Sequence, residues 1–113
     1  MAVKTINLDI KPLSVNDAWQ GRRFKTPKYK NYEKNCLLLL PKMDVPKGKL
    51  QLEIIVRFSN ASSDIDNIIK PIVDIMQKKY PFNDKHIYRL IIDKEIVEKG
   101  KEGFEITITE LSK

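Results

Sequence analysis

The stretch "KLQLEIIVRFS", residues 49–59, places Leu50, Leu52, Ile54, Val56 and Phe58 two apart. Successive side chains of an extended chain point to opposite faces, so this spacing predicts a strand with one apolar face. That face needs a cover, and a later segment can supply it. Ile65, Ile68, Ile69, Ile72, Val73 and Met76 recur at three- and four-residue intervals, which predicts an amphipathic helix over 65–79. Pro71 falls inside that span. Proline is best tolerated near the first turn, where backbone N–H groups have no helical partner, so the regular helix is expected to begin at 66–68.

The remaining segments fill in one domain. "VKTINLDI" (3–10) alternates and reads as a strand before the turn "KPLSVN". Residues 14–28 carry Asn16, Gly21, Pro27 and many charges, and read as a long ordered loop. A helix is expected over 29–43, ending near Pro41. "VPKG" (45–48) is a turn, "HIYRLIIDKEIVEK" (86–99) a strand, "KGKEG" a hairpin turn and "FEITITEL" (104–111) the closing strand. The order β-α-β-α-β-β predicts a single small α+β domain over 1–113: a mixed sheet of about four strands with two main helices packed on it. There are no repeats, low-complexity tracts or linkers.

Composition narrows the class. With 42% hydrophobic and 32% charged residues, the 113-residue chain is expected to fold as an ordinary globular domain. The apolar run Leu37–Leu40 is too short to cross a bilayer, so no membrane partner is expected. The first residues lack the apolar core of a secretory signal, and a cytoplasmic location is expected. Cys36 is the only cysteine, which excludes an intrachain disulfide and suggests a buried thiol. His86 has no second histidine to build a zinc site.

The net charge of +6 is unevenly spread. Between Trp19 and Lys34 stand Arg22, Arg23, Lys25, Lys28, Lys30 and Lys34 against one acid, Glu33, while the acids gather at 64–74 and 84–110. A basic segment that neutralises phosphates beside an acidic cluster that holds metal is what a nuclease needs. Asp64 and Asp66 flank Ile65 where extended chain becomes helix, and Asp84 follows a short connection that could return it to the same end of the sheet. Three carboxylates on different elements could then converge on Mg²⁺, a hard ion that takes a few carboxylates and completes its shell with water and substrate phosphate. Such an ion polarises a phosphodiester and lowers the pKa of bound water. Lys70, one helical turn past Asp66, could add positive charge where the transition state gains negative charge. A plainer reading stands beside this one. Acids at a helix start are common caps, and Asp66, Lys70 and Asp74 also fit a salt-bridge ladder on a wet helix face.

"DIDNIIKPIVDIM", followed by "YPFNDKHIYRL", closely resembles the RusA family of Holliday junction resolvases, whose members carry a D-x-D-N-x-x-K-P-x-x-D segment and then an acidic turn before a strand. Residues 13–35 also resemble the family's N-terminal portion. The resemblance covers most of the chain. It implies a homodimeric bacterial or phage endonuclease that uses Mg²⁺, with Mn²⁺ able to substitute, to cut branched DNA in recombination and repair. It places the metal ligands at Asp64, Asp66 and Asp84 and the essential lysine at Lys70. The chain departs from the family in two places. Asn83-Asp84 stands where two aspartates are usual, and "QKKYPF" replaces a helix end that is often Asn-Gly.

The phosphate-contact candidates are Asn16, Arg22, Arg23, Lys25, Lys28 and Lys30, with a solvated loop and, for Asn16, an Asx-turn as the alternatives. Trp19, Phe24, Tyr29 and Tyr32 interleave with them and could stack on bases or pack the loop to the core. Phe82 is expected in the core, Asn67 to steady the Asp64–Asp66 turn, and Lys94 to face water or DNA. No small organic cofactor is expected. The expected function is Mg²⁺-dependent junction cleavage, and the alternative is a non-catalytic DNA-binding or regulatory protein on the same fold. A structural interaction module with a wet acidic helix face is a third reading.

Overall fold

A computed structural model describes residues 3–13, 19–20, 24–42, 44–61, 66–80 and 82–111, with backbone alone at 3–4, 19–20, 24–25 and 66–67. The elements in chain order are β1 (Val3–Leu8), β2 (Trp19–Gln20), β3 (Phe24–Lys25), α1 (Pro27–Leu39), β4 (Leu50–Phe58), α2 (Asp66–Lys79), a 3₁₀ turn (Asp84–His86), β5 (Ile87–Ile96) and β6 (Gly103–Glu110). Four strands make one mixed sheet in the order β1-β6-β4-β5. The expected β-α-β-α-β-β order and α+β class hold. The stretch read as a loop also contains the short β2–β3 hairpin, paired Trp19 to Lys25 and Gln20 to Phe24. Two-residue strands carry too little alternation to be legible.

β4 runs antiparallel to β6 and parallel to β5. Its alternation is complete: Leu50, Leu52, Ile54, Val56 and Phe58 are buried, while Gln51, Glu53, Ile55 and Arg57 are half-buried. The register sets Ile106 and Ile6 beside Ile54, and Phe104 and Leu8 beside Val56, on the same face. Tyr29, Tyr32, Cys36 and Leu40 from the α1 side, with Ile68, Ile72, Ile75 and Met76 of α2, complete this core.

α1 begins two residues earlier than expected because Thr26 caps it. The Thr26 hydroxyl accepts from the Tyr29 N–H at 3.1 Å, and Pro27 takes the first helical position, where no N–H is needed. It ends at Leu39 rather than reaching 43, because the chain turns extended at Leu40 ahead of Pro41. The Tyr80 hydroxyl then donates to the Pro41 carbonyl at 2.6 Å. α2 starts at Asp66, within the expected range, but Pro71 lies in its second turn. Pro71 is buried, so packing of its ring offsets the missing backbone bond. The two helices lie side by side and point the same way: Lys78 pairs with Glu33 at 2.9 Å, Lys79 Nζ donates to the Leu37 carbonyl at 3.4 Å, and Tyr80 reaches Pro41. No described helix is long and apolar enough to cross a membrane.

Arg57 of β4 reaches across β6 to the end of β1, with Nη2 3.4 Å from the Leu8 carbonyl and 3.2 Å from Asp9 Oδ1. Gly103 makes room for it. A Cβ there would stand 2.5 Å from the Leu8 carbonyl oxygen and closer still to the Arg57 guanidinium. Gly103→Ala is expected to lower stability by about 1–3 kcal/mol, read from urea unfolding.

The core also carries a pH signature. Burial pushes the Cys36 thiol from 9.0 up to about 12 and the Tyr29 hydroxyl from 10.0 up to about 12, and it raises Tyr32 and Tyr80 as well. Above the ordinary thiol and phenol values the unfolded chain loses these protons while the folded chain keeps them. Stability is therefore full below about pH 9 and falls between about pH 9 and 12. Unfolding midpoints measured against pH check this, and an unchanged midpoint up to pH 12 contradicts it.

Candidate metal and nucleic-acid site

The apolar stripe of α2 does not end at the core. Ile69 and Val73, one turn apart, are half-buried on the flank of the helix beside β5. Leu90 and Ile92 of β5 share the helix-side face with Leu52 and Ile54 of β4 through the parallel register. These four apolar residues, with Lys70, Asp74 and Asp84, line an open groove of about 380 Å³.

Lys70 and Asp74 sit on this wall as an i, i+4 pair, Nζ to Oδ2 3.6 Å, with Lys70 exposed and Asp74 half-buried. The ladder expected on this face is real for that rung. Asp84 opens the 3₁₀ turn at the foot of the groove, and three neighbours fix its backbone. Its N–H donates to Gln77 Oε1 at 2.8 Å; the Asn83 side chain accepts from the Lys85 N–H at 3.1 Å; and the Asn83 N–H donates to His86 Nδ1 at 3.2 Å. Among the described residues no hydrogen bond or ion pair holds the Asp84 carboxylate, which is exposed. His86 thus has a structural task as the acceptor that closes the turn, and Asn83 is its cap.

Asp64 lies outside the described residues, and Asp66 is described by its backbone alone, as the first residue of α2. At 1.5 Å per residue, about 16 Å of helix axis separates Asp66 from Gln77, where the Asp84 turn is tied. Asp74 stands between them. Among the described residues no group of three histidine, cysteine or acidic side chains forms a ligand set. Asp74 and Asp84 supply only oxygen donors, which suit a hard cation, and the groove has no soft donor.

Of the phosphate-contact candidates, Asn16, Arg22 and Arg23 lie outside the described residues, and Lys25 is described by its backbone in β3. Lys28 and Lys30 are exposed in the first turn of α1. That turn is near the groove wall. Burial is the main cause of the raised Tyr29 value, but Glu33 and Asp74 add to it, so Asp74 is within electrostatic reach of α1. Parallel packing of the helices therefore brings the end of the basic segment beside the middle of α2.

Tyr29 and Tyr32 are 2% and 6% exposed. They belong to the core and are not available to stack on bases. The side chains of Trp19, Phe24 and Asn67 lie outside the described residues. Phe82 packs partly buried against the core, as expected. Lys94 is exposed, and its Nζ donates to the Ala61 carbonyl at 2.7 Å. Asp74, which lines the groove, and Gln77, which ties the Asp84 turn, are not among the site residues expected from the sequence. Asp74 is legible only as the third member of the helix line from Asp66, and nothing local marks Gln77.

The family model for RusA endodeoxyribonuclease matches residues 14–109. The chain belongs to the RusA endodeoxyribonuclease family. A search of curated proteins gave no match. The family match takes in both helices, the groove and most of the sheet, and leaves only the ends of the chain outside. Membership implies endonuclease activity on Holliday junctions, and so places the groove in a DNA-hydrolysing protein.

Gln77→Leu removes the acceptor for the Asp84 N–H. It is expected to cost about 1 kcal/mol and to speed hydrogen exchange at the Asp84 amide, with Gln77→Glu retaining slow exchange. Unchanged exchange in Gln77→Leu would show that the turn is held without it.

Proposed function

We propose that this RusA-family protein is a Mg²⁺-dependent, homodimeric endonuclease that resolves Holliday junctions in recombination and repair. The observation that carries the reading is the groove itself: Lys70 and the exposed Asp84 carboxylate share one open cleft within a chain of this family. Asp64, Asp66 and Asp84 are its metal ligands, and Mn²⁺ can replace Mg²⁺. When bound, the ion activates water and offsets charge on the phosphate.

The chain's own residues have distinct tasks. Asp84 presents an acceptor-only carboxylate from a turn whose backbone is tied at Gln77 and His86. Asp74 keeps the Lys70 ammonium on the groove wall until a phosphate competes for it. Lys70 then stabilises the extra negative charge of the transition state, an effect strongest once water has been displaced. Asn16, Arg22, Arg23, Lys25, Lys28 and Lys30 hold the DNA backbone and set its path to the groove. A two-fold dimer matches a four-way junction, which needs paired cuts.

The test is cleavage of synthetic four-way junctions with and without Mg²⁺. Lys70→Ala and Asp84→Asn are each expected to slow cleavage by at least about 100-fold while junction binding persists. Tight binding with no nicking in Mg²⁺ or Mn²⁺ would instead support a non-catalytic DNA-binding protein.

A further inference from the structure

The lining of the groove does not match a phosphate backbone. Ile69 and Val73 of α2 and Leu90 and Ile92 of β5 make up its walls and floor. Leu90 is 45% exposed although it stands on the helix-side face of the sheet. A phosphate laid on four aliphatic side chains would lose its water and gain no donor, which is costly. An uncharged, flat group would instead gain by covering apolar surface. The charges stand at the margin: Lys70 Nζ lies 3.6 Å from Asp74 Oδ2, and the Asp84 carboxylate is exposed. At about 380 Å³ the groove is near the small end of pockets that hold small molecules, roughly 300–1,000 Å³. A single nucleotide supplies both halves of this match, a phosphate for the rim and a base for the apolar floor.

We propose that the groove is a pocket for one unstacked nucleobase, held between the α2 wall and the β5 floor, with its adjoining phosphate at Lys70. The inference rests on the nuclease reading above and names the part of the DNA that the groove takes. Apolar side chains can sandwich a base drawn out of its stack. Tyr29 and Tyr32 are buried in the core and cannot do so, whereas the aliphatic groove is open. The pocket also selects structure. Drawing a base out of a continuous duplex costs its pairing and its stacking, and the cost is least for a base already short of a partner or a stacked neighbour, as at a branch point. The groove therefore favours branched DNA over a duplex of the same sequence, and it does so with residues that carry no charge.

The test uses four-way junctions with 2-aminopurine at the nucleotides flanking the crossover. The fluorescence of this base analogue is quenched by stacking. The Asp84→Asn chain, which is expected to bind without cutting, is titrated onto the junction and onto a duplex of the same sequence. Fluorescence at one flanking position is expected to rise several-fold with the junction and not with the duplex. Leu90→Asn, added to this background, keeps side-chain size and charge but removes apolar surface. It is expected to lose most of the rise and to lower the junction-over-duplex binding ratio by roughly tenfold, while Leu90→Met keeps both. Leu90 is exposed, so both variants are expected to melt as the parent does. Val73→Thr, on the facing wall, is expected to shift rise and ratio in the same direction. No rise at any flanking position, or a rise and a ratio unchanged in Leu90→Asn, overturns the inference. Wild-type cleavage of junctions without any rise removes the base pocket alone, and a rise without cleavage in Mg²⁺ or Mn²⁺ removes the nuclease reading alone.

Discussion

The parallel pairing of β4 with β5 governs most of what this molecule can do. Parallel neighbours cannot be joined by a hairpin, so the chain has to leave the sheet at Phe58 and return at Ile87. The crossing segment is α2, and the buried face of β4 attracts its Ile68–Ile72–Ile75–Met76 stripe. One crossover thereby lays a helix alongside β5 without covering it. The uncovered strip, floored by Leu90 and Ile92 and walled by Ile69 and Val73, is the groove. The site is thus a by-product of topology, and the charged residues are placed on its margins by helical and strand periodicity.

Helix packing decides which charges meet. Because α1 and α2 point the same way, the basic first turn of α1 stands beside the groove wall, and the contacts farther along run Glu33–Lys78, Leu37–Lys79 and Pro41–Tyr80. Antiparallel helices would have carried Lys28 and Lys30 to the far end of α2. The Lys70–Asp74 pair is exposed and weak as a contribution to stability. Its value lies in placement, since it keeps a cation at the rim that a phosphate can recruit.

Much of the fold was legible because two periods dominate it. The alternation in β4 and the three-four spacing in α2 each encode burial on one side, and the structure buries those residues. Element ends were less legible. Thr26 and Pro27 are a capping signal that placed the start of α1 earlier than its apolar pattern suggested. Pro71 shows the limit of a local rule: a buried ring in the second turn is acceptable where packing offsets the lost bond. At the site, Lys70 and Asp84 were visible from the motif and do share a groove. The roles of Gln77 and His86 were not, because both depend on a turn folding back onto a helix, a contact with no local spacing. Tyr29 and Tyr32 were ambiguous for a related reason. Aromatic residues among lysines look the same in sequence whether they face DNA or the core, and only the packing of α1 against the sheet assigns them inward.

The position of Asp84 gives the acidic residues a physical division of labour. Asp66 opens α2, where a carboxylate complements the positive end of the helix dipole. Asp84 is tied through its N–H to Gln77 and shares the groove with Ile69 and Lys70, the first turn past Asp66. Asp74 lies between Asp66 and Gln77 in α2 and is already engaged with Lys70. Of the described acidic side chains, Asp74 and Asp84 line the groove, and the Lys70 ammonium beside Asp74 offsets their repulsion. On the proposed reading, a DNA backbone following the groove passes Asp74 and Asp84 with Lys70 on the same wall, and its phosphates raise the local demand for cations. The same reading makes substrate and ion favour each other's binding, because each supplies charge or oxygen that the other lacks.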